Sequence, residues 1–161
     1  MAASGVDFSL LSELAPVPTR VIPAFIAPPP AVTAPELSTE LAAMRTTPHQ
    51  AVRAGLDMLA GPRSARLSAF YDDSDRALAY LSEVIADYWN VALAPYWPRL
   101  KTLCDGDILH RARLLADGGV ARLFADLHPG VFWRDDRLLV EQRHADRTDD
   151  LRGRGLLLTP S

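Results

Sequence analysis

The sequence predicts a mainly α fold: a helical bundle crossed by a Pro-rich strap, with a small β element towards the C-terminus. Three observations predict it. Between 75 and 94, apolar residues recur at i, i+3, i+4 spacing over five turns, the signature of one long amphipathic helix. The run APVPTRVIPAFIAPPPAVTAP is so dense in proline, which lacks a backbone donor and pushes its predecessor towards extended geometry, that no helix can form there. Two runs of alternating character flank Asp135-Asp136, as a β-hairpin does. The chain of 161 residues is expected to be one domain, with 1–34 a short helix plus strap, 35–127 the helical core and 128–161 the β element.

Taken in order, Asp7 or Ser9 can cap a short helix over 8–14 that presents Phe8, Leu10, Leu11 and Leu14. In the strap, Val21, Ile22, Phe25 and Ile26 are apolar enough to dock on the helices. Its PPP run lacks the flanking basic anchors of an SH3-type ligand. Thr33 and Pro35 open a helix over 35–45 with Leu37, Leu41 and Met44 on one stripe. Thr47 caps the next, with Pro48 at its first position; it carries Val52, Leu56 and Leu59 and stops at Gly61-Pro62. A further turn or two is expected at 66–71, and Ser74 caps the long helix, which Pro95 ends. Pro98 begins a helix over 98–117 that buries Leu100, Leu103, Cys104, Ile108, Ala112 and Leu115, with Gly106 as a weak point. Gly118-Gly119 ends it, 120–127 is a short helix, and 131–134 with 137–142 form the hairpin. GLLLTP is expected to add a third strand. The stretch from Ser74 to Glu141 is the one the rest is organised around, and no internal repeat is present.

Composition excludes several classes of function. A net charge of −3 gives no electrostatic footprint for nucleic acid, because DNA affinity comes largely from phosphate neutralisation. Arginine supplies 16 of the 17 basic residues and Lys101 is the only lysine, a bias of high-GC coding rather than a binding signal. Cys104 is the only cysteine, which rules out an internal disulfide and fits a reducing cytoplasm. No apolar run is long enough for a membrane span, and the N-terminus lacks the basic start and apolar block of a signal peptide.

No phosphate loop, dinucleotide fingerprint or nucleophile elbow occurs, so no enzyme activity and no cofactor are expected. The acidic run Asp72, Asp73, Asp75 reads as a helix N-terminal turn favoured by the macrodipole. Cys104, Asp107 and His110 are the nearest approach to a metal-ligand set. Three residues on one helix cannot close a tetrahedral site, and only His128 or His144 could add a fourth ligand, so no metal is assigned. Tyr88, Trp89, Tyr96, Trp97 and Trp133 concentrate aromatic surface around one corner and are the candidates for a ligand pocket, read against ordinary core. The order helix 98–117, Gly-Gly turn, helix 120–127, hairpin imitates a winged helix. Its would-be recognition helix, VARLFADL, offers a DNA groove only Arg122, and residues 99–143 hold eight Lys/Arg against seven Asp/Glu, so DNA contact by this unit is rejected.

The phrases VIPAFIAPPP, DYWNVALAPYWPRLKTLCDGDILHRARLLADGGVARLFADLHPGVFWRDDRLLVE and DLRGRGLLLTPS, in that order, resemble the helical domain of actinobacterial ArsR-type winged-helix transcriptional regulators. The resemblance runs from about Phe8 to the end. It implies transcriptional control by a cytoplasmic homodimer, with this chain as the regulatory, effector or dimerisation domain and a small molecule as its effector. In that family the DNA-reading winged helix lies C-terminal to this region, after a further β-rich segment. The resemblance therefore implies that this chain is a fragment of a longer regulator and that DNA is read by a domain missing from it. It carries over no ligand-binding residues, and the cysteine-rich metal-sensing motif of the wider group has no counterpart here. The alternative is a stand-alone small-molecule-binding or protein-interaction module.

Overall fold

The computed structural model describes residues 7–18, 21–28, 36–59, 61, 63–141, 148–153 and 155–158. Its elements are α1 (Ser9–Leu14), α2 (Leu37–Arg45), α3 (His49–Asp57), α4 (Ala65–Asp72), α5 (Ser74–Tyr88), α6 (Trp97–Ala125), β1 (Val131–Arg134) and β2 (Arg137–Val140). The chain is mainly α. It divides into two compact units, Met1–Pro95 and Tyr96–Ser161, so the stretch read as one helical core, 35–127, is shared between them.

In the first unit α5 is the hub, touching α1, α2, α3 and α4. Its Ala77, Leu78 and Leu81 join Leu10 and Leu14 of α1, Met44 of α2, Val52 and Leu56 of α3, and Leu67 and Phe70 of α4 in a single core. Each buried leucine contributes about 1.5–3 kcal/mol over leaving it in water. Asp73 caps α5, its carboxylate accepting the Arg76 N–H at 3.0 Å. Ser74, the expected cap, lies one residue inside and donates its hydroxyl to the Phe70 carbonyl at 2.6 Å. Ser82, fully buried on α5, donates to the Ala79 carbonyl and accepts from Arg45 Nε, both at 2.6 Å, which ties α2 to the hub.

The other N-termini follow the same chemistry with shifted positions. Asp7 accepts the Ser9 N–H at 2.9 Å ahead of α1, and Ser64, which the sequence reading passed over, caps α4 by accepting the Leu67 N–H at 3.2 Å. Pro48 itself occupies the cap position of α3, so Thr47 is no cap. The expected opening of α2 by Thr33 and Pro35 falls outside the described residues, as does Pro62. In the strap, Pro23 and Phe25 are the buried residues and Ile22 is exposed, so proline takes the place expected of isoleucine. A Cβ on Gly55 would stand 3.1 Å from both Pro23 Cβ and the Phe25 ring, so the strap lies where α3 carries no side chain.

The long helix ends earlier than its periodicity suggests. After Tyr88 the backbone widens into a π turn, Trp89–Leu93, in which the Ala94 N–H reaches back five residues to the Trp89 carbonyl, and then tightens into a 3-10 turn, Ala94–Tyr96. Pro95 has no N–H to donate and its ring would press on the carbonyl four residues back, so the bonding pattern shifts ahead of it.

In the second unit α6 is broken at Gly119, whose φ of 69° and ψ of −166° lie outside the helical region. Beyond the break, 120–125 folds back. Asp126 accepts from Arg111 at 3.1 Å and meets His110 at 3.2 Å, whereas residues that far apart on a straight helix would be separated by about 22 Å. A Cβ on Gly118 would come within 2.7 Å of Arg122 Cβ, so both glycines of the turn are needed. Leu123 and Phe124 are buried by the fold-back, and Phe124 stacks on Trp133 of β1 with centroids 6.0 Å apart. β1 and β2 pair antiparallel with Val131 opposite Val140 and Arg134 opposite Arg137. Asp135 and Asp136, at φ 52° and 56°, make the two-residue turn with both residues left-handed, which short polar side chains tolerate.

The expected third strand is a correction. Residues 155–158 lie outside any strand, and the β element is a two-stranded hairpin. Arg152, Gly153 and Gly155 all have positive φ, a turning backbone that cannot enter a ladder.

Leu81→Ala is expected to destabilise the first unit by about 2–5 kcal/mol, the range for emptying a buried leucine site. Gly119→Ala should lower the unfolding midpoint of the second unit, by about 1–3 kcal/mol for a side chain forced into a glycine-only region. Urea titrations of each variant, followed by circular dichroism, measure both.

Candidate functional site

The five aromatic candidates take separate local partners. Tyr88 meets the edge of Phe8 at 5.1 Å and 89° in the first unit, where Trp89 is half-buried. In the second unit Trp133 stacks on Phe124, while Tyr96 and Trp97 are exposed. None of the five lines the cleft described next.

That cleft lies within the first unit, between α1, α4 and α5, with a volume of about 490 Å³. Leu10, Ala69, Phe70 and Ala77 form its apolar floor, and Arg66, Asp72, Asp73, Arg76 and Tyr80 its rim. Such a size suits a small organic ligand. The rim is partly committed already: Arg66 reaches Glu13 at 3.0 Å and Asp7 at 3.3 Å, and Asp73 caps α5. The Asp7 carboxyl is held below its ordinary value first by Ser9, whose hydroxyl and backbone N–H face it, and then by Arg66. Sequence reasoning missed this site. The available signal was Tyr80, an aromatic residue standing off the apolar stripe of α5 and half exposed.

Opposite Arg66 on α4, Tyr71 donates its hydroxyl to Asp57 at 2.6 Å beneath the Arg63 guanidinium, 4.3 Å from the ring centre. Burial, followed by that hydrogen bond to a carboxylate, raises the phenol above its ordinary value. Arg63 also pairs with Asp57 at 2.6 Å, so the cluster satisfies itself and ties α3 to α4.

The metal-ligand candidates are drawn apart by other partners. Asp107 pairs with Arg111 at 3.3 Å and His110 with Asp126 at 3.2 Å, while Cys104 is a half-buried free thiol. His128 Nδ1 accepts the Gly130 N–H at 3.0 Å, and His144 lies outside the described residues. Among the described residues no three His, Cys, Asp or Glu side chains are grouped to hold a metal ion.

The most unusual surface is α6 itself. Cys104, Asp107, Arg111 and Leu114 lie along a half-buried face. The neighbouring apolar side chains, expected to be core, are not: Leu100, Leu103, Ile108, Leu109 and Leu115 are all exposed, Ile108 by 52% and Leu115 by 45%. Helical spacing was legible, but a helix with apolar residues around most of its girth does not announce which face its own chain will cover. Among the described residues no helix is long and apolar enough to cross a membrane, so a bilayer-spanning role does not account for this face.

No protein-family model, curated protein or solved structure matches the chain.

As pH falls, Asp7 should lose its proton-free form only below its unperturbed value of 3.8. The sign follows from a depressed carboxyl: its contribution to holding α1 is complete above that value and is lost as pH drops through the lower, folded-state value. Following the Ser9 amide resonance against pH measures this, and Asp7→Asn should abolish the titration.

Proposed function

We propose that this chain is a non-catalytic regulatory module of an ArsR-like transcriptional regulator in the cytoplasm, and that it assembles as a homodimer through α6. DNA reading is assigned to a winged helix other than any element of this chain. The observation that carries the reading is the exposed apolar surface of α6. A helix that leaves Leu103, Ile108 and Leu115 in water forgoes about 1.5–3 kcal/mol for each, and a protein partner is the usual cover for such a patch. The surface is not basic. Segment 120–125 turns Leu123 and Phe124 inwards and offers only Arg122 as a cation, which argues against duplex contact through the winged-helix-like turn.

The cleft between α1, α4 and α5 favours a second reading that is compatible with the first, a small-molecule effector site. Its apolar floor and mixed-charge rim suit a compact, largely apolar molecule with polar ends.

Sedimentation equilibrium of the chain should show a reversible dimer that Ile108→Glu dissociates. The half-exposed position leaves the folding stability of the monomer within about 0.5 kcal/mol. A strictly monomeric chain would overturn the assembly role, and salt-sensitive binding of duplex DNA by this chain would overturn the assignment of DNA reading. For the effector site, a hydrophobic dye such as 1,8-ANS should gain fluorescence with the wild-type chain and lose most of that gain in Tyr80→Ala.

A further inference from the structure

The exposed side of α6 has a defined pattern. By the helical repeat, Trp97, Cys104, Ile108 and Leu115 fall within about 20° of one line along the helix. Ile108 and Leu115 are exposed on that line, Trp97 is 41% exposed and Cys104 is half-buried. The four positions are spaced 7, 4 and 7 residues apart, and the spacing reads the same from either end.

We infer that two copies of this chain associate antiparallel through α6, about a two-fold axis level with Gly106. Trp97 then packs against the second copy's Leu115, and Cys104 against its Ile108. This rests on the self-association proposed above and deepens it.

A two-fold interface requires that if one residue meets another, the reverse contact also forms, and a stripe of this spacing meets that condition antiparallel. Side-chain volume then favours antiparallel over parallel. Antiparallel layers set a large residue against a medium one and a small residue against a larger one. A parallel pair sets tryptophan on tryptophan and cysteine on cysteine, giving one overfull layer and one gap. The opposed helix dipoles favour the same choice.

Charge selects a second copy as the occupant. One flank of the stripe carries Lys101 bound to Asp105 at 2.6 Å, and the other Asp107 bound to Arg111 at 3.3 Å, both pairs four residues apart. Each flank is neutral within its own copy. Identical surfaces can therefore approach without like-charge repulsion, while a strongly charged partner finds nothing to complement. The stripe is about 27 Å long, and a helix pair of that length buries on the order of 1,000 Å² in total, the low end for a specific interface. A reversible dimer follows.

The test is disulfide trapping in the full chain without the native thiol. Two proteins are made, Cys104→Ser with Trp97→Cys and Cys104→Ser with Leu115→Cys, and circular dichroism verifies that each folds as the wild type does. In the antiparallel pair the two introduced thiols face each other. Each thiol lies about 27 Å from its own copy, far beyond the Cα separation a disulfide spans. Under mild oxidation the mixture should give a cross-linked dimer on a non-reducing gel, and neither protein alone should. Cross-linking of each protein with itself would establish a parallel pair and overturn the inference while leaving self-association intact. A dimer in sedimentation that no combination cross-links would place the interface elsewhere and likewise overturn it. A chain monomeric at every concentration would remove both this arrangement and the assembly role beneath it.

Discussion

Burial of one side of α5 is the constraint on which the first unit depends. Leu78 and Leu81 are fully enclosed, and every other helix of that unit touches α5. Helices as short as α1, with six residues, or α4, with eight, are marginal alone, since nucleating a helix costs more than a few hydrogen bonds return. They persist because each delivers apolar residues to the same seam. The polar ties then fix angle and register: Arg45 to Ser82 from α2, Ser64 to Glu13 between α4 and α1, and His49 to Asp75 from α3. The cleft follows from this arrangement, because α1 and α4 meet α5 around Phe70 and leave an apolar hollow with charged residues at its rim.

The second unit solves the same problem with less material. Its buried side chains among the described residues are Leu123 and Phe124, brought in by the reversal at Gly119 and covered by Trp133 of the hairpin. A helix of 97–118 presents far more apolar surface than a six-residue return segment and two four-residue strands can cover. The surplus is the physical basis for reading this unit as a module made to meet something else. Its near-neutral flanks fit a second copy better than nucleic acid.

Regulation and assembly would then be divided between the units. The cleft and its rim of Arg66, Arg76, Asp72 and Asp73 belong wholly to the first, and the α6 stripe wholly to the second. A small molecule held by Tyr80 and Phe70 would act directly on α4 and α5, whose contact is the densest in the first unit. The metal reading has no such support, because Asp107 and His110 already serve as the ion-pair partners that close the fold-back.

The sequence by itself determined the elements and their kind. Periodicity found α5, proline density the strap, the Gly118-Gly119 pair the reversal, and alternation around Asp135-Asp136 the hairpin, because each is a local consequence of spacing or backbone freedom. Caps were legible to within a residue: Asp73 rather than Ser74, and Pro48 rather than Thr47, since neighbouring polar residues compete for one position. Tertiary structure alone decided what periodicity cannot encode. It left Ile22 outside and brought Pro23 in, because Gly55 opens room for the strap at that point. It turned Leu100, Leu103, Ile108 and Leu115 outwards although they repeat like core, because apolar spacing shows that a face seeks cover without showing who supplies it. It kept 155–158 out of the sheet, because a strand needs a partner edge and a backbone free of the positive φ seen at Arg152, Gly153 and Gly155. The cleft, too, was decided there, assembled from three helices whose residues lie far apart in the chain and acquire a shared chemistry only once α5 brings them together.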